Sequence, residues 1–241
     1  MQTGIRVLSA ILIVMGAAGS QAADEQKAGL TRNASVLSDS ELDARLRFLE
    51  ERLDDGETWV EYWQWGWAGV YSASVVYGTT RAIEAEQQNN RTDHIVSAVK
   101  STIGISWLLL CRHPGRNGAD SMRAVTGNSR KARLSRLAEG EVLLQAVAKR
   151  AEQRTDWRIH AGNIALNLAG AGFIFGFGRD SDAWQSLGIG IAVGELSIWS
   201  EPERGIRDLS DYQTRFGMKT ASRFHWTIVP TMGGAAVMVT F

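Results

Sequence analysis

Residues 159–202 read IHAGNIALNLAGAGFIFGFGRDSDAWQSLGIGIAVGELSIWSEP, and this stretch decides the fold of the chain. It contains two apolar segments, 160–178 and 183–200, joined by the polar turn 179–182. Each segment is much longer than an ordinary strand of about 5–6 residues, and apolar side chains recur in it at helical spacing. The stretch therefore predicts two helices folded back on each other.

An extended conformation is the alternative, because Phe173, Phe175 and Phe177 also recur with a period of two. Glycine in a helix interior costs roughly 1 kcal/mol relative to alanine, a cost that is tolerated where two backbones must approach closely. We therefore interpret the glycines as helix-packing positions. These are Gly66, Gly69, Gly170, Gly188, Gly190 and Gly194.

The overall composition excludes some classes of function. The 241 residues include 26 basic and 26 acidic side chains, so the formal charge is zero. Nucleic-acid-binding proteins usually carry a clustered positive excess, and the balance here argues against that class. Cys111 is the single cysteine, which excludes an intramolecular disulfide. A mean hydropathy of −0.14 argues against a chain that lies mostly within a membrane.

Residues 1–22 have the pattern of a cleavable signal peptide. Arg6 supplies the positive start, 7–18 the apolar core, and 20–22 a small-x-small cleavage site. The alternative is a retained anchor helix, although the core is short for a span of about 20 residues. We therefore expect export to a bacterial periplasm or outer membrane, with residues 23–37 as a loose N-terminal arm.

A helical bundle domain is predicted for residues 38–221. Ser38 begins a capping box, a leucine stripe follows it, and Gly56 predicts the end of that first helix. Thr92 or Asp93 is the predicted cap of the third helix, and a fourth helix is predicted to start near Ser129.

The second helix, predicted from about residue 57 to 86, is rich in tryptophan. Trp59, Trp63 and Trp67 recur at four-residue spacing. Such a stripe is typical of an aromatic belt at a lipid surface and equally of a large aromatic core packed against the glycine-rich helices. The sequence leaves both interpretations open.

The last residues change from helical to alternating periodicity, and 222–241 is predicted as a small β-hairpin packed on the bundle. Its final strand, with Val237, Val239 and Phe241 on one face, resembles the carboxyl-terminal signature of bacterial outer-membrane β-barrel proteins. That resemblance implies a barrel or pore component. A single-chain barrel has at least about eight strands, so it requires residues 159–241 to be mostly strands, or several chains to pool theirs.

No motif for a metal, a catalytic nucleophile or a nucleotide is present, so we predict no catalytic residues, no metal and no cofactor. Glu61, Lys100 and Glu195 interrupt the apolar runs. Because buried charge must be paired, these three form a candidate buried polar cluster. Asn163 and Asn167 share a helical face and predict hydrogen bonds between helices.

The sequence thus predicts a mainly α fold, a bundle of helix hairpins with a glycine-rich central hairpin and a small C-terminal β-hairpin. We expect an exported envelope protein with a structural, assembly or binding role at or near a membrane. Its expected partners are membrane lipid or another envelope protein, and copies of the chain can pair at an exposed strand edge. The alternatives are an envelope enzyme acting on lipid or glycan, and a barrel or pore component.

Overall fold

The computed structural model describes residues 37–217, together with the backbone of His225–Thr231 and Gly234–Thr240. The predicted signal peptide and nearly all of the predicted arm lie outside the described residues. The predicted turn of the β-hairpin and the terminal Phe241 lie outside them as well.

The described chain is mainly helical, as predicted. Helices and strands follow one another as α1 (Asp39–Glu84), α2 (Gln88–Leu110), a 3-10 turn (Pro114–Asn117), α3 (Asp120–Arg123), α4 (Arg130–Gln153), α5 (Trp157–Phe177), α6 (Asp180–Trp199), α7 (Arg204–Arg215), β1 (His225–Thr231) and β2 (Gly234–Thr240). Residues 159–200 are helical, so the extended alternative for that stretch is wrong. The backbones of β1 and β2 pair antiparallel, with His225 opposite Thr240, while the packing of a hairpin on the bundle stays a prediction.

Helix α1 continues through the predicted stop at Gly56, so two predicted helices are one helix of 46 residues, about 69 Å long. Gly56 does not take the left-handed conformation of a helix C-cap. Leu53 and Val60 are buried on either side of it, so packing keeps the chain helical at this position. The predicted start is confirmed, since the Ser38 hydroxyl accepts a hydrogen bond from the Glu41 amide at 3.2 Å.

Helix α2 begins at Gln88, before the predicted caps Thr92 and Asp93. The Thr92 hydroxyl is used inside the helix, where it donates to the carbonyl of Gln88 at 3.0 Å. Helix α4 begins at Arg130, close to the predicted start near Ser129, and the Ser129 hydroxyl caps it by accepting a hydrogen bond from the Ala132 amide at 3.2 Å.

One part of the molecule has an ordinary apolar core and a charged surface. This charged half consists of residues 39–56, the 3-10 turn, α3, α4 and α7. Its core is formed by Leu42, Leu46, Phe48, Leu49, Leu53, Ala119, Met122, Leu134, Leu137, Leu144 and Tyr212. The leucine stripe seen in the sequence therefore packs against α4 and α7.

A buried polar contact joins three helices of the charged half. The Tyr212 hydroxyl donates to Glu141 Oε1 at 2.5 Å, and Arg45 lies 3.6 Å from the same oxygen. Burial raises the pKa of the Glu141 carboxyl and also that of the Tyr212 hydroxyl. The tyrosine therefore stays protonated and is the donor that α7 offers to α4.

The apolar half consists of residues 57–84 of α1, α2, α5 and α6. Contacts near the helix ends give their relative directions. The Gln64 side chain donates to the carbonyl of Leu108 at 3.0 Å, which places the end of α2 beside the first part of this α1 segment. Thr92 lies 3.3 Å from the carbonyl of Phe177, which places the start of α2 beside the end of α5. These helices therefore run in alternating directions away from the charged half and back to it.

Candidate functional site

Large apolar side chains cover the outside of the apolar half. Among the described residues, every exposed large apolar side chain except Ile206 lies in this half. Their exposed fractions run from 41% to 78%. The largest exposed apolar patch of an ordinary soluble monomer covers only about 300–600 Å², whereas this surface follows four helices of about 20 residues or more each. We call it the apolar band.

Aromatic side chains are concentrated toward the two ends of the apolar band. One group lies toward the charged half and consists of Trp59, Tyr62, Trp65, Trp107, Trp157 and Trp199. The second lies toward the far end and consists of Tyr77, Phe173, Phe175, Phe177 and Trp184. Aliphatic side chains such as Val99, Ile103, Ile164 and Leu168 lie between them. Two aromatic girdles around an aliphatic centre are typical of proteins in contact with a bilayer.

The interior of the apolar half is polar in several places. Its buried polar residues are Gln64, Thr92, Ser101, Asn167 and Ser197. The small buried apolar cluster in this half consists of Val96, Ile174 and Ala183. A helix of a soluble protein turns its apolar face inward and its polar face outward. In this half, large apolar side chains lie outside, and the polar side chains just named are buried together with apolar ones such as Val60, Leu108 and Ile174.

A continuous row of hydrogen bonds runs along α5 toward α2. His160 Nδ1 lies 2.7 Å from Glu195 Oε2, and the other oxygen of that carboxylate accepts from Asn163 Nδ2 at 3.0 Å. Asn163 Oδ1 accepts from Asn167 Nδ2 at 3.0 Å. Asn167 Oδ1 then accepts from Lys100 Nζ at 3.1 Å. We call these five side chains the polar ladder.

Both ends of the polar ladder are anchored. Lys100 Nζ also donates to the hydroxyl and the carbonyl of Ser186 on α6, at 2.9 and 3.1 Å. His160 Nε2 lies 3.0 Å from the carbonyl of Arg154, and its ring stacks on Trp199 with centroids 5.3 Å apart. All three donors of the ammonium group are therefore used, and the ladder connects α2, α5 and α6.

The structure brings together two members of the predicted polar cluster and leaves out the third. Lys100 and Glu195 belong to one ladder, although Asn167 and Asn163 lie between them. Glu61 is exposed on α1, so its predicted burial is corrected. The predicted hydrogen bonding of Asn163 and Asn167 between helices is confirmed, since Asn163 Nδ2 also donates to the carbonyl of Ile191 at 3.1 Å.

Three of the six predicted packing glycines lie against side chains of other helices, and three have no atom close to them. A Cβ built at Gly190 or Gly194 would overlap Asn167 or Asn163, so these two positions admit the side-chain amides of the ladder. At Gly170 the near atoms belong to the Lys100 and Val96 side chains, at 3.0 and 3.2 Å. At the other three positions a Cβ meets no atom within 4 Å. These are Gly66, Gly69 and Gly188, and no neighbouring backbone lies against them.

The three tryptophans of the α1 stripe do not share one environment. The sequence left open whether they form an aromatic belt at a lipid surface or an aromatic core, and each interpretation fits part of the stripe. Trp59 is 67% exposed and belongs to the girdle. Trp63 donates from its indole to the carbonyl of Ser197 at 3.1 Å, and Trp67 donates to the hydroxyl of Ser200 at 2.8 Å. Trp63 and Trp67 therefore attach α1 to the end of α6, while Trp59 faces outward.

A polar cleft of about 490 Å³ opens beside the ladder among α1, α2, α5 and α6. Lys100, Asn163 and Asn167 line it together with Asp93 and Asp182. The volume is large enough for several waters or one small polar molecule. Water or a small polar molecule in this cleft can therefore reach the polar ladder.

The described residues were also compared with the requirements of a membrane-spanning helix and of a metal site. By length and composition, one helix among the described residues, Trp157–Phe177, is apolar enough to cross a membrane. In the same part of the chain, no group of three or more His, Cys, Asp or Glu side chains is placed to hold a metal ion.

Comparison with known proteins found no match to this chain among family models, curated proteins or solved structures.

Proposed function

We propose that the chain is an exported envelope protein whose apolar half sits in a membrane, where it has a structural or binding role. The observation that carries the proposal is that this half has many large apolar side chains outside and a row of hydrogen-bonded polar side chains inside. In lipid, interior polar groups must be satisfied within the protein, and the polar ladder meets that requirement.

The helix lengths agree with this placement. Helices α2, α5 and α6 have 23, 21 and 20 residues. At about 1.5 Å per residue they are roughly 30–35 Å long, close to the hydrocarbon thickness of about 30 Å. In this proposal α5 and α6 form the glycine-rich hairpin of the bundle, and the charged half lies at the membrane surface.

The alternatives receive less support. An enzyme built on Glu61, Lys100 and Glu195 needs these side chains in one site, and Glu61 is exposed on α1 outside the ladder. A single-chain barrel needs strands in residues 159–200, which are helical. A barrel in which several chains pool β1 and β2 is compatible with the proposal, because those strands lie outside the apolar half.

The test is fractionation of cells that express the full chain into inner membrane, outer membrane and periplasm. We expect the protein in a membrane fraction after washes with high salt and with alkaline carbonate, and release by detergent. Recovery as a soluble periplasmic monomer would overturn the proposal.

A matched pair of substitutions tests the apolar band directly. Leu168, which is 53% exposed, lies in the aliphatic part of the band, and Ser135 is exposed on α4 of the charged half. Because a charge near the bilayer centre costs about 2.5–3.5 kcal/mol on insertion scales, Leu168→Glu is expected to lower membrane retention severalfold. Ser135→Glu adds the same charge outside the band and is expected to leave retention unchanged. Equal retention of both variants would contradict the placement.

A further inference from the structure

A long groove of about 1140 Å³ lies where the two halves meet. Helix α1 lines it from Arg52 to Val70, a separation of 18 residues or about 27 Å. The other walls come from the 3-10 turn, α4 and residues 200–210. Ordinary small-molecule pockets have volumes of about 300–1,000 Å³, so this groove suits a long ligand.

The α1 wall of the groove is formed by aromatic side chains and two glycines. Trp59, Trp63 and Trp67 line it, and so do Gly56 and Gly66. A Cβ at either glycine would meet no atom within 4 Å. Gly66 therefore leaves the groove open between Trp63 and Trp67, and Gly56 leaves it open before Trp59, so the surface suits a slender apolar chain.

A buried hydrogen-bond donor in the groove lacks a partner. His113 lines the groove and is 3% exposed. Its Nδ1 accepts a hydrogen bond from the Gly115 amide at 3.1 Å. Burial, with a smaller effect of Arg150, lowers the pKa of His113 to about 4, so the ring is neutral at pH 7. A neutral ring that accepts at Nδ1 carries its proton on Nε2, and Nε2 has no partner among the described residues. Protein atoms cover Nε2, so His113 belongs to the wall of the groove and does not bond a ligand there.

The charged end of the groove has one positive charge outside any close ion pair. Arg52, Arg204 and Arg207 line it together with Glu203 and Asp208. Ion pairs within the described chain occupy all of these side chains except Arg207, which is exposed. Arginine binds phosphate oxygens well because its planar guanidinium presents several donors.

We propose that this groove holds one anionic phospholipid, with an acyl chain along the α1 tryptophans and the phosphate at Arg207. The inference rests on the proposed function, because the lipid comes from the membrane that the apolar half contacts. The groove lies at the level of the aromatic girdle next to the charged half, which is the depth of the headgroups in that placement.

The test is native mass spectrometry of the full chain, purified in detergent and titrated with palmitoyl-oleoyl-phosphatidylglycerol. We expect one tightly bound lipid per chain. Gly66→Leu places a side chain in the groove and is expected to weaken binding at least tenfold. Gly69→Leu is the matched control, because a Cβ at Gly69 also meets no atom within 4 Å and Gly69 does not line the groove. Equal lipid binding by the two variants would overturn the proposal.

A further variant tests the phosphate contact. Arg207→Gln is expected to weaken phosphatidylglycerol binding threefold to tenfold and to leave the weaker binding of phosphatidylcholine unchanged. If Arg207→Gln leaves phosphatidylglycerol binding unchanged, the assigned phosphate contact is wrong.

The outcomes separate this inference from the proposed function. Gly66→Leu is expected to remain in the membrane fraction, because the apolar band is unchanged. A wild-type protein that is retained in membranes without a bound lipid would overturn the groove assignment and leave the membrane placement standing. If Gly66→Leu instead converts a dimer into a monomer, a second copy of the chain covers the groove and the lipid proposal fails.

Discussion

A Cβ atom at Gly194 would overlap the side-chain amide of Asn163. The amide lies against α6 and donates there to the carbonyl of Ile191 and to the carboxylate of Glu195. Gly190 has the same relationship to Asn167. These two glycines of α6 therefore make room for polar side chains of α5, and the close contact that they permit is between a backbone and an amide.

Gly194→Ala is expected to destabilise the apolar half by about 1–3 kcal/mol, the usual cost of overpacking a filled site. Gly188→Ala is the control, since a Cβ there meets no atom within 4 Å, and alanine favours a helix by roughly 1 kcal/mol over glycine. Thermal unfolding of both variants in detergent, followed by circular dichroism, measures the difference. A Gly194→Ala protein as stable as Gly188→Ala would show that the amide can move aside.

Asn167→Leu is expected to cost about 1.5–3 kcal/mol, because Lys100 loses a charge-assisted hydrogen bond. The same substitution in a Lys100→Met background is expected to cost less, since no ammonium group then needs the acceptor. Unfolding free energies of the two single variants, the double variant and the wild type give the coupling energy. A coupling near zero would mean that the two side chains act independently.

Tyr212→Phe is expected to destabilise the charged half by about 1–3 kcal/mol, because the buried Glu141 oxygen loses the donor that lies 2.5 Å away. Tyr62→Phe removes a hydroxyl from a side chain that is 69% exposed and is expected to change stability by less than about 0.5 kcal/mol. Urea unfolding, followed by near-ultraviolet circular dichroism, compares them. Equal effects would contradict the role assigned to the Tyr212 hydroxyl.

His113 predicts a dependence of stability on pH. Its pKa is about 4 in the folded protein against an ordinary value of 6.5 for an exposed histidine, so below pH 6.5 the unfolded chain binds a proton that the folded chain does not. Stability is therefore lost as the pH falls from 6.5 to about 4, by up to about 3 kcal/mol.

His113→Asn removes this titration. The stability of the wild type relative to the variant is expected to fall as the pH is lowered from 7.5 to 4, measured by urea unfolding at four pH values across this range. A difference that stays constant over the range would show that His113 is protonated equally in both states.

The parts of the fold that could be predicted are those set by local periodicity. The stripe of Leu42, Leu46 and Leu49 is buried as a helix face, and residues 159–200 are helical in spite of their glycines. The predicted break at Gly56 is wrong because a glycine ends a helix only where the chain takes up the left-handed conformation, and contacts distant in sequence decide that. Leu53 and Val60, buried on both sides, hold the helix through it.

The polar ladder was predictable in part. His160, Asn163 and Asn167 lie three and four residues apart on α5, a spacing that places them on one face, and the position of His160 three residues before Asn163 was the signal that was missed. The sequence does not indicate the role of Ser186. Its hydroxyl and carbonyl accept hydrogen bonds from Lys100 only because α2 and α6 meet in the fold. Glu61 was misassigned because a charge within an apolar run does not show which side of the helix it occupies.

The uninterrupted course of α1 from Asp39 to Glu84 has a mechanical consequence. The same rod carries leucines of one half and tryptophans of the other, and Gly56 introduces no hinge between them. We therefore expect a tilt of α1 at one end to change the position of its other end as well.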